Sequence, residues 1–170
     1  MDQEVAVILT LNDYFLGPQD VDLSDVEVIV SDIDGTIADL AHRRRWILSK
    51  PKNWEAFEKT IHLDTPIAET IEFLQKAAEY GVFIIYASGR GAQSRNITLD
   101  WLGSNSLPEG PLYMRAKKDY RADDIIKREI LEQIRGDGYE PDLVLDDRQR
   151  VVDMWRKAGV YTIQVDEGDF

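Results

Sequence analysis

This sequence predicts an α/β fold in which a parallel sheet carries helices on both faces. Two observations carry that prediction. Short apolar runs alternate with longer stretches whose apolar residues recur at helical spacing. Three of the short runs also end in polar clusters: Asp32-Ile33-Asp34-Gly35-Thr36, Ser88-Gly89-Arg90 and Asp146-Asp147. Ligands of open parallel sheets bind beyond the carboxyl ends of the strands, where loops of separate βα units converge.

Residues 26–31 form the first expected core strand. Thr65 as N-cap and Pro66 at the first helical position open a helix with Ile67, Ile71, Leu74 and Ala78 on its apolar face and Gly81 just past its end. A strand over 82–87 follows, then a helix over 93–102, a short strand over 112–115 and a helix over 122–135 with Ile126, Ile130 and Ile134 on one face. A strand over 143–146, a helix over 149–158 (Val151, Trp155, Ala158) and a strand over 160–165 complete the alternation. Such units imply a Rossmann-like sheet. Residues 1–25 stand outside it as an N-terminal extension, with Val5-Ala6-Val7-Ile8-Leu9 as an added edge strand and Gly17-Pro18 as a turn after it. Residues 38–64 form an insert between the first strand and its crossover helix.

Composition narrows the class. The 170 residues, 44% hydrophobic, suffice for one domain with a sizeable core. No run of about 18 uncharged apolar residues is present, so no membrane span is expected. The N-terminus begins with acids rather than a basic region, which argues against a signal peptide. Cysteine is absent, which excludes thiolate chemistry and disulfides. A soluble, intracellular, cytoplasmic enzyme is expected. The net charge of -12, from 20 basic and 32 acidic residues, favours a terminal phosphate or short nucleotide over a long polynucleotide, unless a local cluster such as Arg43-Arg44-Arg45 reverses the field.

Asp32 and Asp34 stand two apart at a strand end, so their side chains point to one side. Two such acids can hold a hard cation through oxygen, or one can attack while the other moves protons. An ordinary Asx-type turn explains Asp and Gly equally well. The further clusters shift the balance toward chemistry.

The order D-x-D-G-T, S-G-R, a lysine on a helix and D-D after a strand resembles the haloacid dehalogenase (HAD) superfamily of Mg²⁺-dependent phosphohydrolases. The start of that pattern and the tail from Leu145 through Asp146-Asp147-Arg148-Gln149-Arg150-Val151-Val152-Asp153-Met154-Trp155-Arg156 to Gly168-Asp169-Phe170 more narrowly resemble the phosphatase domain of phage polynucleotide kinase-phosphatases. The likeness runs from about Val28 to the C-terminus and is weak between Arg45 and Asp64. It implies the HAD fold, with residues 38–64 as a small cap or lid that leaves the site open.

The resemblance also implies roles. Asp32 attacks phosphorus to form an aspartyl-phosphate, and Asp34 protonates the leaving oxygen and then deprotonates water. Mg²⁺ is held by Asp32, the main-chain carbonyl of Asp34, and Asp147, with Asp146 in support. Ser88, in Ser88-Gly89, bonds a phosphoryl oxygen, and Lys127 places a point charge beside Asp32. Arg43 and Arg90 suit a phosphate, Asp123 orients Lys127 from one helical turn away, and Thr36 steadies the loop. Trp46 and Trp54 could stack a nucleobase, but burial tendency favours core packing for both. His42 and His62 have no metal-ligand spacing.

The implied substrate is a 3′-phosphorylated oligonucleotide or nucleotide, with a separate kinase or ligase beside the chain, an end-repair role suited to a phage-encoded enzyme. No G-x-x-x-x-G-K-[ST] occurs, so dephosphorylation without rephosphorylation is expected. A mononucleotide phosphatase, such as a 5′-nucleotidase, is the alternative within the same chemistry. A non-catalytic binding domain is the alternative outside it, and the intact set of Asp32, Asp34, Ser88, Lys127 and Asp147 speaks against that.

Overall fold

Val28–Ser31 is apolar at nearly every position, a pattern that suits a strand covered on both faces. In the computed structural model, which describes residues 6–13 and 17–168, it is the central strand of a five-stranded sheet. Two strands precede it, β1 (Ile8–Asp13) and β2 (Gly17–Asp22), which makes it β3. There follow β4 (Ala38–Asp39), α1 (Ala41–Leu48), α2 (Trp54–Lys59), β5 (Thr65–Pro66), α3 (Ala68–Glu79), β6 (Phe83–Gly91) and α4 (Arg95–Ser104). The chain ends with β7 (Leu112–Arg115), α5 (Asp123–Gly136), β8 (Leu143–Asp146), α6 (Gln149–Lys157) and β9 (Tyr161–Gln164).

The main sheet has the order β7-β6-β3-β8-β9, and every neighbouring pair is parallel. From β3 the chain winds outward through β6 and β7, then crosses to β8 and β9 on the other side. Crossovers therefore leave β3 in opposite directions, and a crevice opens at the carboxyl ends of β3 and β8.

Period-two alternation sends strand residues to two cores. Ile29, Ile84, Tyr86 and Leu145 pack with Phe73 and Leu74 of α3 and Trp101 of α4. Val30, Ile85 and Val144 pack with Ile126, Ile130 and Ile134 of α5 and with Val151 and Trp155 of α6. Each isoleucine so buried contributes about 1.5–3 kcal/mol. The predicted α/β architecture with helices on both faces is the observed one. Gly81 ends α3 as expected: at φ 90° its N–H reaches the Ala78 carbonyl (2.9 Å) while that of Val82 reaches Ala77 (3.1 Å).

Four local expectations are corrected. Thr65 and Pro66 do not open α3; they pair as β5 with β4, the N–H of Ile67 bonds the Ile37 carbonyl (2.9 Å), and Ile67 is the helix N-cap. This short ladder clamps the two ends of the 38–64 insert, a long-range pairing that outweighs the local N-cap signal. The N-terminal apolar run adds no edge strand to the main sheet; β1 pairs antiparallel with β2 and lies against α3. Gly17 and Pro18 belong to β2 rather than to a turn, while Val5, Asp169 and Phe170 lie outside the described residues. Ser88-Gly89-Arg90 does not follow the second core strand but forms its last stretch, with a register shift against β7 between Ser88 and Gly91.

Candidate active site

The loop after β3 is pinned before any ligand arrives. The Asp32 N–H continues the ladder to the Leu145 carbonyl (2.9 Å), and the N–H groups of Ile37 and Ala38 both bond the Ile33 carbonyl (3.0 and 2.9 Å). Gly35 turns the chain at φ 87°, and a Cβ there would overlap the Asp147 carboxylate. Glycine is therefore required twice over, by dihedral and by space.

Around Asp32 the sheet gathers charge in a nearly dry setting. Lys127, on the buried face of α5, reaches Asp32 Oδ1 at 2.5 Å and Asp146 Oδ2 at 3.2 Å. Trp155 Nε1 also donates to Asp146 Oδ2 (3.1 Å). Burial raises the Asp32 carboxyl to about 7 against the pull of Lys127, with Asp146 adding to the rise. For Lys127 burial acts to lower the pKa, but the carboxylates of Asp146 and Asp32 outweigh it and hold the ammonium charged. The two shifts conflict over one hydrogen bond. The proton belongs on Lys127, because two carboxylates share that one ammonium.

Asp147 stands apart. It is 1% exposed, neither carboxylate oxygen has a hydrogen-bond partner among the described residues, and Gly35 and Gly168 close around it. Burial, then Asp32 and Asp146, push its carboxyl up to about 9. Asp32, Asp146 and Asp147 each bring a carboxylate oxygen within 4.8 Å of the others. Orphaned buried oxygens facing like charge fit a hard divalent cation, which needs oxygen ligands and supplies the missing positive charge.

A second network holds Asp34. Arg43 Nη2 (2.8 Å) and Arg90 Nη2 (2.6 Å) both donate to its Oδ1. Behind them lies Asp64, which sequence reasoning passed over: it accepts from Arg43 Nε (2.7 Å) and Nη2 (2.9 Å) and from Arg90 Nη2 (2.8 Å), and His42 Nε2 sits 2.8 Å away. No motif marks Asp64. The available signal was that two buried arginines need more than one counter-ion. Burial acts to raise Asp34, but Arg90 and then Arg43 outweigh it and hold its carboxyl below the usual range. His42 is thus a partner of Asp64 rather than a metal ligand.

The remaining predicted residues lie around this pair of networks. Thr36 is buried, with its hydroxyl 3.4 Å from Asp32 Oδ2, and the Ser88 hydroxyl accepts from the Arg90 N–H (3.1 Å). Asp123 makes no ion pair with Lys127, contrary to expectation. It pairs instead with Arg115 and with Arg148 Nη1 (2.6 Å), and a Cβ on Gly89 would press on its carboxylate. Asp123 is the first residue of α5, and its carboxylate is taken up by these two arginines while the Lys127 ammonium is taken up by Asp32 and Asp146. Arg115 is a second residue the sequence did not reveal.

Of these groups, Asp32, Asp34, Arg43, Arg90, Arg115, Asp123 and Arg148 line one cleft of ≈ 650 Å³. The 38–64 insert forms one wall, and Gln93 Nε2 ties it to the end of β6 through Glu58 Oε1 (2.6 Å). Trp54, expected in the core, is 52% exposed on that wall; Trp155 is fully buried as expected. The basic cluster is not Arg43-Arg44-Arg45, because Arg43 is buried and Arg45 lies over the Trp46 ring. It is spread around the cleft, where eight basic residues face five acidic ones in a chain of charge -12.

Residues 26–170 match the family described as "Polynucleotide kinase PNKP phosphatase domain". The chain belongs to that family. It is thereby a phosphatase domain of the HAD superfamily, a phosphoric monoester hydrolase. Two solved structures titled for a Pnkp1/Rnl/Hen1 complex, the second as an RNA repair complex, match with TM-scores of 0.73 at 31% and 28% identity over 86% and 91% of this chain. The chain spans about half the length of those proteins, 48% and 50%. A class C acid phosphatase from Bacillus anthracis with tungstate bound shares the fold at TM-score 0.62 and 16% identity, covering 86% of this chain and 69% of that one. HAD phosphatases generally use a divalent metal, and the buried aspartate cluster is compatible with one. No helix among the described residues is long and apolar enough to cross a membrane.

Proposed function

We propose that this chain removes 3′-phosphates from nucleic-acid or nucleotide ends through an aspartyl-phosphate on Asp32, with Mg²⁺. The observation that carries the reading is the convergence of Lys127 on Asp32 beside an Asp34 gripped by two arginines. Asp32 attacks phosphorus, the bond to the nucleotide oxygen breaks, and Asp34 gives that oxygen a proton. Water then attacks the aspartyl-phosphate, with Asp34 taking its proton, and inorganic phosphate leaves. With both arginines on it Asp34 is ionised and suited to the second step. A phosphate that draws Arg43 and Arg90 onto its own oxygens frees Asp34 to carry the proton of the first.

Asp32, Asp147 and the Asp34 carbonyl would hold Mg²⁺, with Asp146 in support. The ion would offset repulsion between the nucleophile and the phosphate dianion. Lys127 keeps Asp32 ionised and aligned, and Ser88 offers a phosphoryl oxygen a hydrogen bond. In this reading the chain is one HAD domain, residues 38–64 are its lid, and residues 1–25 are an extension. The RNA repair complex among its structural relatives supports a nucleic-acid end as substrate and a separate kinase or ligase as partner.

The test is Mg²⁺-dependent phosphate release by wild type and Asp32→Asn from matched 3′- and 5′-phosphorylated oligonucleotides. Release from the 3′-phosphate that disappears in Asp32→Asn supports the reading. Release from only the 5′-phosphate overturns the specificity. A mononucleotide phosphatase is the second reading, favoured by the net charge of -12, and a higher kcat/KM on mononucleotides than on oligonucleotides would select it.

A further inference from the structure

Beyond the carboxylates the cleft continues between two walls that no motif of the chain describes. One is the insert, with Lys52 and Trp54; the other is the loop over residues 116–121, between β7 and α5. That loop is built rather than slack. Arg115 donates to the carbonyls of Gly89 (2.8 Å), Asp119 (3.1 Å) and Arg121 (2.6 Å) while also pairing with Asp123. Arg121 is engaged by Asp119 (2.6 Å) and Glu129 (2.6 Å). Lys118 is held at φ 63°, a conformation that L-residues avoid and that clusters at ligand clamps.

Bracing consumes Arg115, Asp119 and Arg121 and leaves the rest of the loop facing outward. Tyr120 is 88% exposed, and Lys117 and Lys118 form no ion pair with a described residue. Across the cleft, the exposed Trp54 ring has Lys52 Nζ 5.4 Å from its centroid and the edge of Phe57 against it, so it too is held in place. The insert thus presents an exposed aromatic ring with a lysine ammonium over it, and the opposite loop presents an exposed tyrosine with two lysines two and three residues before it in the chain. Stacking surface combined with positive charge is the chemistry that holds single-stranded nucleic acid without reading its sequence.

We infer that Trp54 and Tyr120, with Lys52, Lys117 and Lys118, form a clamp for the single-stranded nucleotides that precede a terminal 3′-phosphate. The inference rests on the proposed 3′-phosphatase reading and deepens it. The rings take bases, the lysines take backbone phosphates, and the clamp makes an oligonucleotide a better substrate than a mononucleotide despite the acidic surface elsewhere.

The experiment compares a short 3′-phosphorylated oligonucleotide with the corresponding 3′-mononucleotide, in wild type, Trp54→Ala, Tyr120→Ala and a combined Lys52→Ala, Lys117→Ala, Lys118→Ala variant of the full chain. The ratio of kcat/KM, oligonucleotide over mononucleotide, falls ~5- to 150-fold on loss of a stacking ring. In the lysine variant the slope of log KM against log salt for the oligonucleotide drops by about 0.7 for each backbone phosphate that is no longer neutralised. Unchanged ratio and salt slope in the variants, with the oligonucleotide still preferred, overturn the clamp alone. A wild type that acts on the 3′-mononucleotide as well as or better than on the oligonucleotide overturns the clamp and leaves the 3′-phosphatase reading standing, whereas a wild type that releases phosphate from neither substrate overturns that reading and the clamp with it.

Discussion

Asp64→Ala removes the acid on which both arginines rest. Its side chain is fully buried, as is that of Arg43, and it accepts three charge-assisted hydrogen bonds of 2.7–2.9 Å from Arg43 and Arg90. At about 1.5–3 kcal/mol each, those bonds set a ceiling of about 9 kcal/mol. Arg90 keeps Asp34 and Thr98, and Arg43 keeps one bond to Asp34, so part of that ceiling is retained. Arg43 Nε is left buried with no partner, in a guanidinium whose Nη1 already lacks one among the described residues. The expected loss is that of a broken buried ion pair, about 3–5 kcal/mol. For a chain of this size it corresponds to a fall in Tm of roughly 6–20 °C. Urea unfolding followed by circular dichroism reads the loss directly, and kcat/KM should fall with it because Arg43 and Arg90 position Asp34. A loss below about 0.5 kcal/mol, the size of an ordinary surface substitution, would refute the view that Asp64 anchors the network.

Other consequences can be measured independently. Gly35→Ala forces a Cβ into the Asp147 carboxylate at a φ of 87°, and calorimetric Mg²⁺ titration should show affinity weakened about 10- to 100-fold. With metal chelated, Asp147→Asn should be no less stable than wild type, since it replaces a buried carboxyl that has no hydrogen-bond partner among the described residues and whose ionised form its surroundings disfavour. Saturating Mg²⁺ should raise the Tm of wild type and not of that variant; the same Mg²⁺ shift in both would place the ion elsewhere. In chelator, stability should fall as pH rises. The folded carboxyls of Asp32 and Asp147 sit at about 7 and about 9, above the value of 3.8 for the free groups, so the folded state binds more protons between those limits. That stability is complete below the unfolded pKa and gone above the folded one. Thermal melts from pH 4 to 9 that stay flat without metal would contradict this.

The α/β class, the order of core elements and the shared strand-end position of Asp32, Asp34, Asp146 and Asp147 were legible in the sequence for a physical reason, and the family resemblance added Lys127 to them. Apolar periodicity fixes which face of each strand and helix is buried, and once the strands are parallel their carboxyl ends must share one edge. Lys127 illustrates this: it shares its helix face with Ile130 and Ile134, so burying that face carries the ammonium to the sheet edge. Other features depend on partners distant in sequence, and those were settled by the folded chain alone. Asp64 has meaning only when the insert folds back and sets it behind Arg43 and Arg90, 21 and 26 residues away. Thr65 and Pro66 carry a sound local helix-start signal, which the ladder to Ala38 and Asp39 overrides. Asp123 is one turn from Lys127, yet its partners come from β7 and from the start of α6. Trp54 reads as core by its type but faces the cleft, because short-range pattern does not say which side of a six-residue helix meets the core.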